Sequence, residues 1–271
     1  MEAIRFDGKL ALVTGGASGI GKATALAFAK YGANVIILDI DEERGSVIAN
    51  EHPNIDFCKA DISLPQDLQN SATFITLRYG RPVDILVSNA GVEDNAAGNL
   101  LFMPEPGLRR IIDVNLFGAI YCARAFMPNM CNGGKVIFVS SLQAFMACLP
   151  GTSYQASKAG LLGVTKALAI EVAHLGINVN AVCPSGVATE GMGAVRGGDS
   201  GLDGYRRHNP VGRRAWPDEI AYPILFLCSP WASYMTGQVV QIDGGMSALG
   251  MPYPGEIRAV LHDPDVLNSL D

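Results

Sequence analysis

Tyr154 and Lys158 stand four residues apart in Ser153-Tyr154-Gln155-Ala156-Ser157-Lys158. On a helix that spacing puts a phenol and an ammonium on one face, one turn apart. A nearby cation favours the phenolate, so the phenol is expected to fall from its usual pKa of ~10 towards the working pH. A tyrosine so tuned can give a proton to a carbonyl oxygen or take one from an alcohol. His52, His174, His208 and His262 have no esterase-like setting, so the general base of a Ser-His-Asp hydrolase is hard to supply.

A second constellation is Thr14-Gly15-Gly16-Ala17-Ser18-Gly19-Ile20-Gly21, which follows the apolar run Leu10 to Val13 and precedes a helical composition from Lys22 to Phe28. Glycines at a strand-to-helix turn let a pyrophosphate reach unpaired N–H groups and the positive end of the helix dipole. The next apolar run, Val35 to Leu38, ends in Asp39. That carboxylate is placed to accept bonds from ribose hydroxyls and to repel a 2′-phosphate; capping the following helix is its other reading. Ile40 follows instead of Arg or Lys, Asp41, Glu42 and Glu43 add negative charge, and Ser18 rather than a basic residue precedes Gly19. The expected cofactor is NAD rather than NADP.

The elements that must carry these groups alternate. Runs rich in Val, Ile and Leu recur at Leu10 to Val13, Val35 to Leu38, Ile85 to Val87, Val136 to Val139, Val179 to Val182 and Val239 to Ile242. They read as strands buried on both faces. Helical spacing lies between them at Gly21 to Tyr31, Leu108 to Met127, Lys158 to His174 and Asp218 to Cys228. This β-α order predicts an α/β fold: one domain over residues 1–271, with a doubly wound, mostly parallel sheet and helices on both faces. Glycine makes up 31 of 271 residues, above the usual ~7%. Six of these glycines fall in Gly191 to Gly204, within the segment 190–214, which reads as a substrate lid. Residues 246–271, with Pro252, Pro254 and Pro264, read as a C-terminal extension without a long helix.

Composition narrows the partners. With 20 Lys+Arg against 26 Asp+Glu, a formal charge of −6 and no long basic run, neither a nucleic acid nor an anionic membrane is expected. No apolar stretch is seen to approach the ~20 residues that span a bilayer, and Met1 to Asp7 lacks a signal-peptide pattern, so a cytoplasmic protein is expected. Cys58, Cys122, Cys131, Cys148, Cys183 and Cys228 form no C-x-x-C pair and read as small buried apolar residues, with no metal site.

The T-G-x-x-x-G-x-G turn, Asn89-Ala90-Gly91 and Tyr154-Gln155-Ala156-Ser157-Lys158, in that order from about residue 7 to Gly245, resemble the short-chain dehydrogenases/reductases. The resemblance implies a single Rossmann-type domain with about seven parallel strands, a homotetramer, and hydride transfer between a nicotinamide and a carbonyl/alcohol pair. Gly15, Ser18, Gly19, Ile20, Gly21, Asp39 and Ile40 would then hold the adenosine and pyrophosphate. Ala60-Asp61-Ile62 would flank the adenine, and Asn89-Ala90-Gly91 would line the cofactor and stabilise the sheet. Pro184, Val187 and Thr189 would hold the nicotinamide carboxamide, with Tyr154 and Lys158 also touching the cofactor. The family usually has glycine directly after this proline; here Ser185 stands there, with Gly186 next. Asp243-Gly244-Gly245 matches the customary terminator.

Ser141 lies 13 residues before Tyr154, the family's separation for its catalytic serine, and would hold the substrate oxygen; Ser140 is the competing candidate. Asn115 matches the fourth member, which holds a water in a proton relay to Lys158. A buried asparagine needs its amide satisfied, so a helix-bend role stays open.

The expected function is an NAD-dependent oxidoreductase acting on a secondary alcohol or ketone. The Leu142 to Pro150 stretch is mostly apolar with one amide at Gln143, so Ser141, Gln143, Tyr154 and Ser185 are the pocket candidates. Glu93, Asp94, Asn95 and Asn99 keep a polyol or sugar-alcohol dehydrogenase open, and a cis-dihydrodiol dehydrogenase would use the same four groups. Arg206, Arg207 and His208 could pair with an anionic substrate, although a solvated surface explains them equally. A 3-oxoacyl reductase is disfavoured because such enzymes generally use NADPH. A non-catalytic NAD-binding protein is the remaining alternative, opposed by the intact Ser141, Tyr154 and Lys158.

Overall fold

The computed structural model describes residues 4–93, 100–130, 132–147, 151–189 and 209–248. Seven strands form one parallel sheet: β1 (Leu10–Thr14), β2 (Asn34–Asp39), β3 (Ile55–Lys59), β4 (Ile85–Ser88), β5 (Lys135–Val139), β6 (Asn178–Pro184) and β7 (Val239–Ile242), in the order β3-β2-β1-β4-β5-β6-β7. Six were legible as apolar runs. The seventh, β3, has the sequence Ile-Asp-Phe-Cys-Lys at one edge of the sheet, where only Ile55 is buried, so it lacks an apolar run. The other edge, β7, is half-buried rather than covered on both faces.

The helices are α1 (Gly19–Lys30), α2 (Glu42–Glu51), α3 (Pro65–Tyr79), α4 (Glu105–Ile112), α5 (Ala119–Phe126), α6 (Thr152–Glu171) and α7 (Pro217–Cys228). They cover both faces because side chains alternate along each strand. Ala11, Val13, Val35 and Ile37 point into the layer of α1 and α7. Leu10, Leu12, Ile36 and Leu38 point into the opposite layer with Leu161 of α6.

The single helix expected from Leu108 to Met127 is interrupted by a π-helical turn, Asp113–Gly118, between α4 and α5. Counted through that turn, Glu105–Asn129 is long and apolar enough to cross a membrane, which corrects the sequence expectation. Its Ile111, Cys122 and Phe126 are buried in this fold.

The strand order reverses between β1 and β4, where crossovers leave on opposite faces and a crevice opens at the strand ends. Register brings three loops to that crevice, since Thr14 pairs with both Leu38 and Ser88. The residues that follow are Gly15, Asp39 and Asn89.

Candidate active site

The glycine turn is built by close backbone packing. Gly15 has φ +65, and a Cβ there would lie 2.7 Å from the Ala90 Cα. A Cβ on Gly21 would lie 2.0 Å from the Gly15 carbonyl oxygen. Thr14 locks this turn to the end of β4: its hydroxyl accepts from the Asn89 and Ala90 N–H groups, both at 3.0 Å. The Asn89 amide donates back to the Thr14 and Gly15 carbonyls at 3.0 and 3.1 Å. Asn89 therefore stabilises the sheet end, as expected. Ser18 begins α1 without a side-chain cap, and its first turn holds no acidic residue, so those N–H groups stay available to an anion.

A cleft of about 610 Å³ opens above the turn. Gly15, Ser18, Gly19, Ile20, Asp39, Ile40, Asp61, Ile62, Asn89, Ala90, Gly91 and Thr189 all line it. Gly21 packs against Gly15, while Pro184 and Val187 are buried. Asp39 Oδ2 accepts from the Ala17 N–H at 2.9 Å, and its Oδ1 accepts from the Asp41 N–H at 3.0 Å. The helix-cap reading of Asp39 is corrected: Asp41 caps α2 by accepting from the Arg44 N–H. The loop after β6 closes the far wall, with the Thr189 methyl 3.0 Å from where a Gly19 Cβ would stand. Ser185 has no left-handed backbone and donates its N–H to the Ile242 carbonyl at 3.2 Å. Gly186 has no left-handed backbone either.

The second group lies where β4, β5 and α6 meet. Tyr154 and Lys158 are one turn apart on α6, as their spacing predicts, and the Ser141 hydroxyl acts on the Tyr154 phenol, pulling its pKa down. Ser140 instead donates to the Lys158 carbonyl at 2.8 Å, so the hydroxyl facing the phenol is that of Ser141. Lys158 Nζ donates to the Val139 carbonyl at 2.9 Å and lies 5.6 Å from the Tyr154 ring centroid. The expected fall of the phenol pKa is corrected. Burial pushes Tyr154 up to about 12, against the pull of Ser141, and the Glu93 and Cys183 charges act in the same direction as burial. Burial also pulls Lys158 down to about 8, opposed by Cys183 and Glu93.

Asn115 sits in the π-turn with its amide satisfied. Its Oδ1 accepts from the Val92 N–H at 2.7 Å, and its Nδ2 donates to the Val92 carbonyl at 2.9 Å and to Ser157 Oγ at 3.2 Å. Gly91 passes between this side chain and the lysine, since a Cβ there would be 3.2 Å from Asn115 Oδ1 and 3.4 Å from Lys158 Nζ. Arrangement and burial suit proton transfer at the mouth of a dinucleotide-sized cleft.

A family model described as "Enoyl-(Acyl carrier protein) reductase" matches residues 15–247. The chain belongs to the short-chain dehydrogenase/reductase family. It is 36% identical over 249 residues to a 3-oxoacyl-(acyl-carrier-protein) reductase of Thermotoga maritima, covering 90% of this chain and 99% of the relative. It is 34% identical to the 7alpha-hydroxysteroid dehydrogenase of Escherichia coli, covering 89% and 95%. Among solved structures, the aldohexose dehydrogenase of Thermoplasma acidophilum superposes with TM-score 0.83 at 30% identity over 93% of this chain and 100% of that one. A Brucella melitensis protein titled glucose/ribitol dehydrogenase gives 0.84 at 30% identity over 90% and 99%. This short-chain dehydrogenase/reductase is thus an oxidoreductase of a family that binds a nicotinamide cofactor.

Sequence reasoning missed several lining residues. Arg44, Ser63, Arg110 and Val114 also face the cleft. No motif marks them, because each reaches the cleft from a helix or loop whose path depends on packing. Cys183, read as an apolar filler, stands within electrostatic range of Lys158, and burial raises its pKa. Asp94, Asn95, Asn99, Cys131, Cys148, Arg206, Arg207, His208, most of the 190–214 segment and residues from 249 onward lie outside the described residues.

Proposed function

We propose that the protein is an NAD-dependent oxidoreductase that moves a hydride between nicotinamide and a secondary alcohol or its ketone. The observation that carries this reading is the cluster of Ser141 on the Tyr154 phenol with buried Lys158 beneath it, beside a cleft with a glycine cradle and a carboxylate at its β2 end. The cradle fits the cofactor, because Gly15, Ser18 and Gly19 line the cleft with little side chain and α1 leaves its first N–H groups without a side-chain cap. Asp39 would take the ribose hydroxyls and refuse a 2′-phosphate; Gly15, Gly19 and the α1 terminus would face the pyrophosphate; Thr189 would meet the carboxamide.

Bound there, the dinucleotide supplies the hydride donor or acceptor. Ser141 holds the substrate oxygen beside Tyr154. Tyr154 gives that oxygen a proton during reduction and takes it back during oxidation. Lys158 stabilises the resulting phenolate by its charge, and Asn115 fixes the Val92 backbone next to it. A polyol or a cis-dihydrodiol would use the same four groups. Reduction of a 3-oxoacyl carrier is disfavoured by the charge at Asp39.

The reading extends to a homotetramer. An apolar groove of about 400 Å³ between α5 and α6, lined by Ile120, Ala123, Met127, Val164 and Leu168, is the surface we assign to a second copy. A sedimentation experiment that finds a monomer at micromolar concentration refutes this assembly.

The test of function is a panel of alcohols, polyols and dihydrodiols followed by nicotinamide absorbance with NAD⁺ and NADP⁺. Turnover with NAD⁺ that disappears in Tyr154→Phe supports the proposal. A preference for NADP⁺, or equal rates in the variant, overturns it.

A further inference from the structure

The Gln143 amide oxygen is buried and has no donor among the described residues. Its backbone N–H donates to Ser141 Oγ at 3.1 Å, so the unpaired oxygen belongs to the turn that presents Ser141 to the phenol. Folded proteins rarely leave such an acceptor unpaired. A ketone or ether oxygen cannot satisfy it, since these only accept; a hydroxyl can. The other unpaired buried oxygen, Ser88 Oγ, is a rotatable hydroxyl within β4.

Glu93 brings a carboxylate to the same place. Asn115 clamps both polar groups of Val92, and Gly91 runs between Asn115 and Lys158, so Glu93 emerges half-buried beside the proton-transfer pair. Its charge raises the pKa of both Tyr154 and Lys158; Cys183 is the other titratable group that bears on both. A carboxylate here repels an anionic substrate and tolerates a neutral, hydroxyl-bearing one.

We propose that the substrate is a neutral vicinal diol or the matching hydroxyketone, whose second hydroxyl donates to the Gln143 amide oxygen while Glu93 turns anions away. The inference rests on the oxidoreductase reading above. One carbinol carbon loses hydride to the nicotinamide and its oxygen loses a proton to the Tyr154 phenolate, giving a ketone and the neutral phenol; the neighbouring hydroxyl is unchanged.

Two matched pairs test it: butan-2-ol against meso-butane-2,3-diol, and cyclohexanol against cis-cyclohexane-1,2-diol. The first pair represents open-chain polyols and the second ring-borne diols. We expect kcat/KM at least about tenfold higher for the diol in one pair, the scale of one hydrogen bond. Gln143→Leu should shrink that diol-to-alcohol ratio about tenfold, whereas a merely structural fault would lower both substrates alike and leave the ratio. Glu93→Gln should raise kcat/KM for 3-hydroxybutanoate relative to the diol by about threefold or more. Equal use of alcohol and diol, or a ratio that Gln143→Leu leaves in place, overturns the inference while the oxidoreductase reading stands. No turnover of any of these compounds with either dinucleotide overturns both.

Discussion

Lys158 reaches beneath Tyr154 while giving its hydrogen bond to the sheet: Nζ lies 5.6 Å from the ring centroid and 2.9 Å from the Val139 carbonyl oxygen. The lysine acts on the phenol through charge rather than direct contact. Because burial pulls Lys158 down to about 8, that charge disappears as the pH rises through this value. Ketone reduction leaves a phenolate for the ammonium to stabilise, so kcat/KM for reduction should be level from pH 6 to 7.5. It should then fall by up to about tenfold per pH unit above 8. A profile level to pH 10 would refute the charge role.

The same burial makes a stability prediction. Folded Lys158 titrates near 8 and the unfolded lysine near ~10.4. A depressed lysine costs stability below the folded value, and the cost fades as the pH climbs from 8 towards ~10, because the unfolded chain holds more protons in that window. Lys158→Met should therefore raise the melting temperature at pH 7 by on the order of 5 °C, with the gain shrinking at pH 9.5, while turnover is lost. Thermal unfolding at the two pH values measures it, and a gain that grows with pH would contradict the assignment.

Asp39 is held by the Ala17 and Asp41 N–H groups, and Arg44 lines the cleft nearby, 3.5 Å from Asp41. Asp39→Ser removes the repulsion of a 2′-phosphate and leaves Arg44 to meet one. The NADP⁺/NAD⁺ ratio of kcat/KM should rise by on the order of tenfold or more. Stability should fall by roughly 1–2 kcal/mol as two N–H groups lose their acceptor. Steady-state kinetics with both dinucleotides decides this, and an unmoved ratio removes Asp39 as the discriminator.

The inner strands and the glycine turn were legible because burial on both faces leaves continuous apolar runs and close approach leaves bare backbone. Edge strand β3 was not, since Asp56 and Lys59 interrupt the apolar run on a strand in which only Ile55 is buried. Spacing also placed Tyr154 and Lys158 on one helix face. It gave the wrong sign for the phenol, because burial depth is set by β5, α6 and the 91–93 backbone together, and no local pattern encodes it. Cys183 escaped a role for the same reason: it comes to the site from the end of β6, brought there only by the sheet order.

Asn115 clamps Val92 at both its N–H and its carbonyl, and Ser157 as well. Asn115→Leu leaves these groups unpaired in a buried site, so stability should fall by about 2–4 kcal/mol. Val92 lines the cleft, so KM for the dinucleotide should rise along with the loss of kcat. If the melting temperature is unchanged and kcat alone falls, the clamp is not the function of this residue and a proton relay is.

Two glycines should fail in different ways. At Gly21 an added methyl would sit 2.0 Å from the Gly15 carbonyl oxygen, a backbone atom that can yield only if the whole turn shifts. Gly21→Ala should therefore cost about 1–3 kcal/mol and raise KM for NAD⁺ by about tenfold or more. At Gly91 the obstacles are the far ends of two side chains, Asn115 Oδ1 at 3.2 Å and Lys158 Nζ at 3.4 Å, which can move by a few tenths of an ångström. Gly91→Ala should leave the melting temperature within a few degrees and KM for NAD⁺ little changed. It should lower kcat modestly, because the methyl crowds Asn115 Oδ1 and touches Lys158 Nζ beside the phenol. Melting curves with full kinetics on both variants separate the cofactor cradle from the proton-transfer group. The same loss pattern in both would show that the two sites are not mechanically distinct.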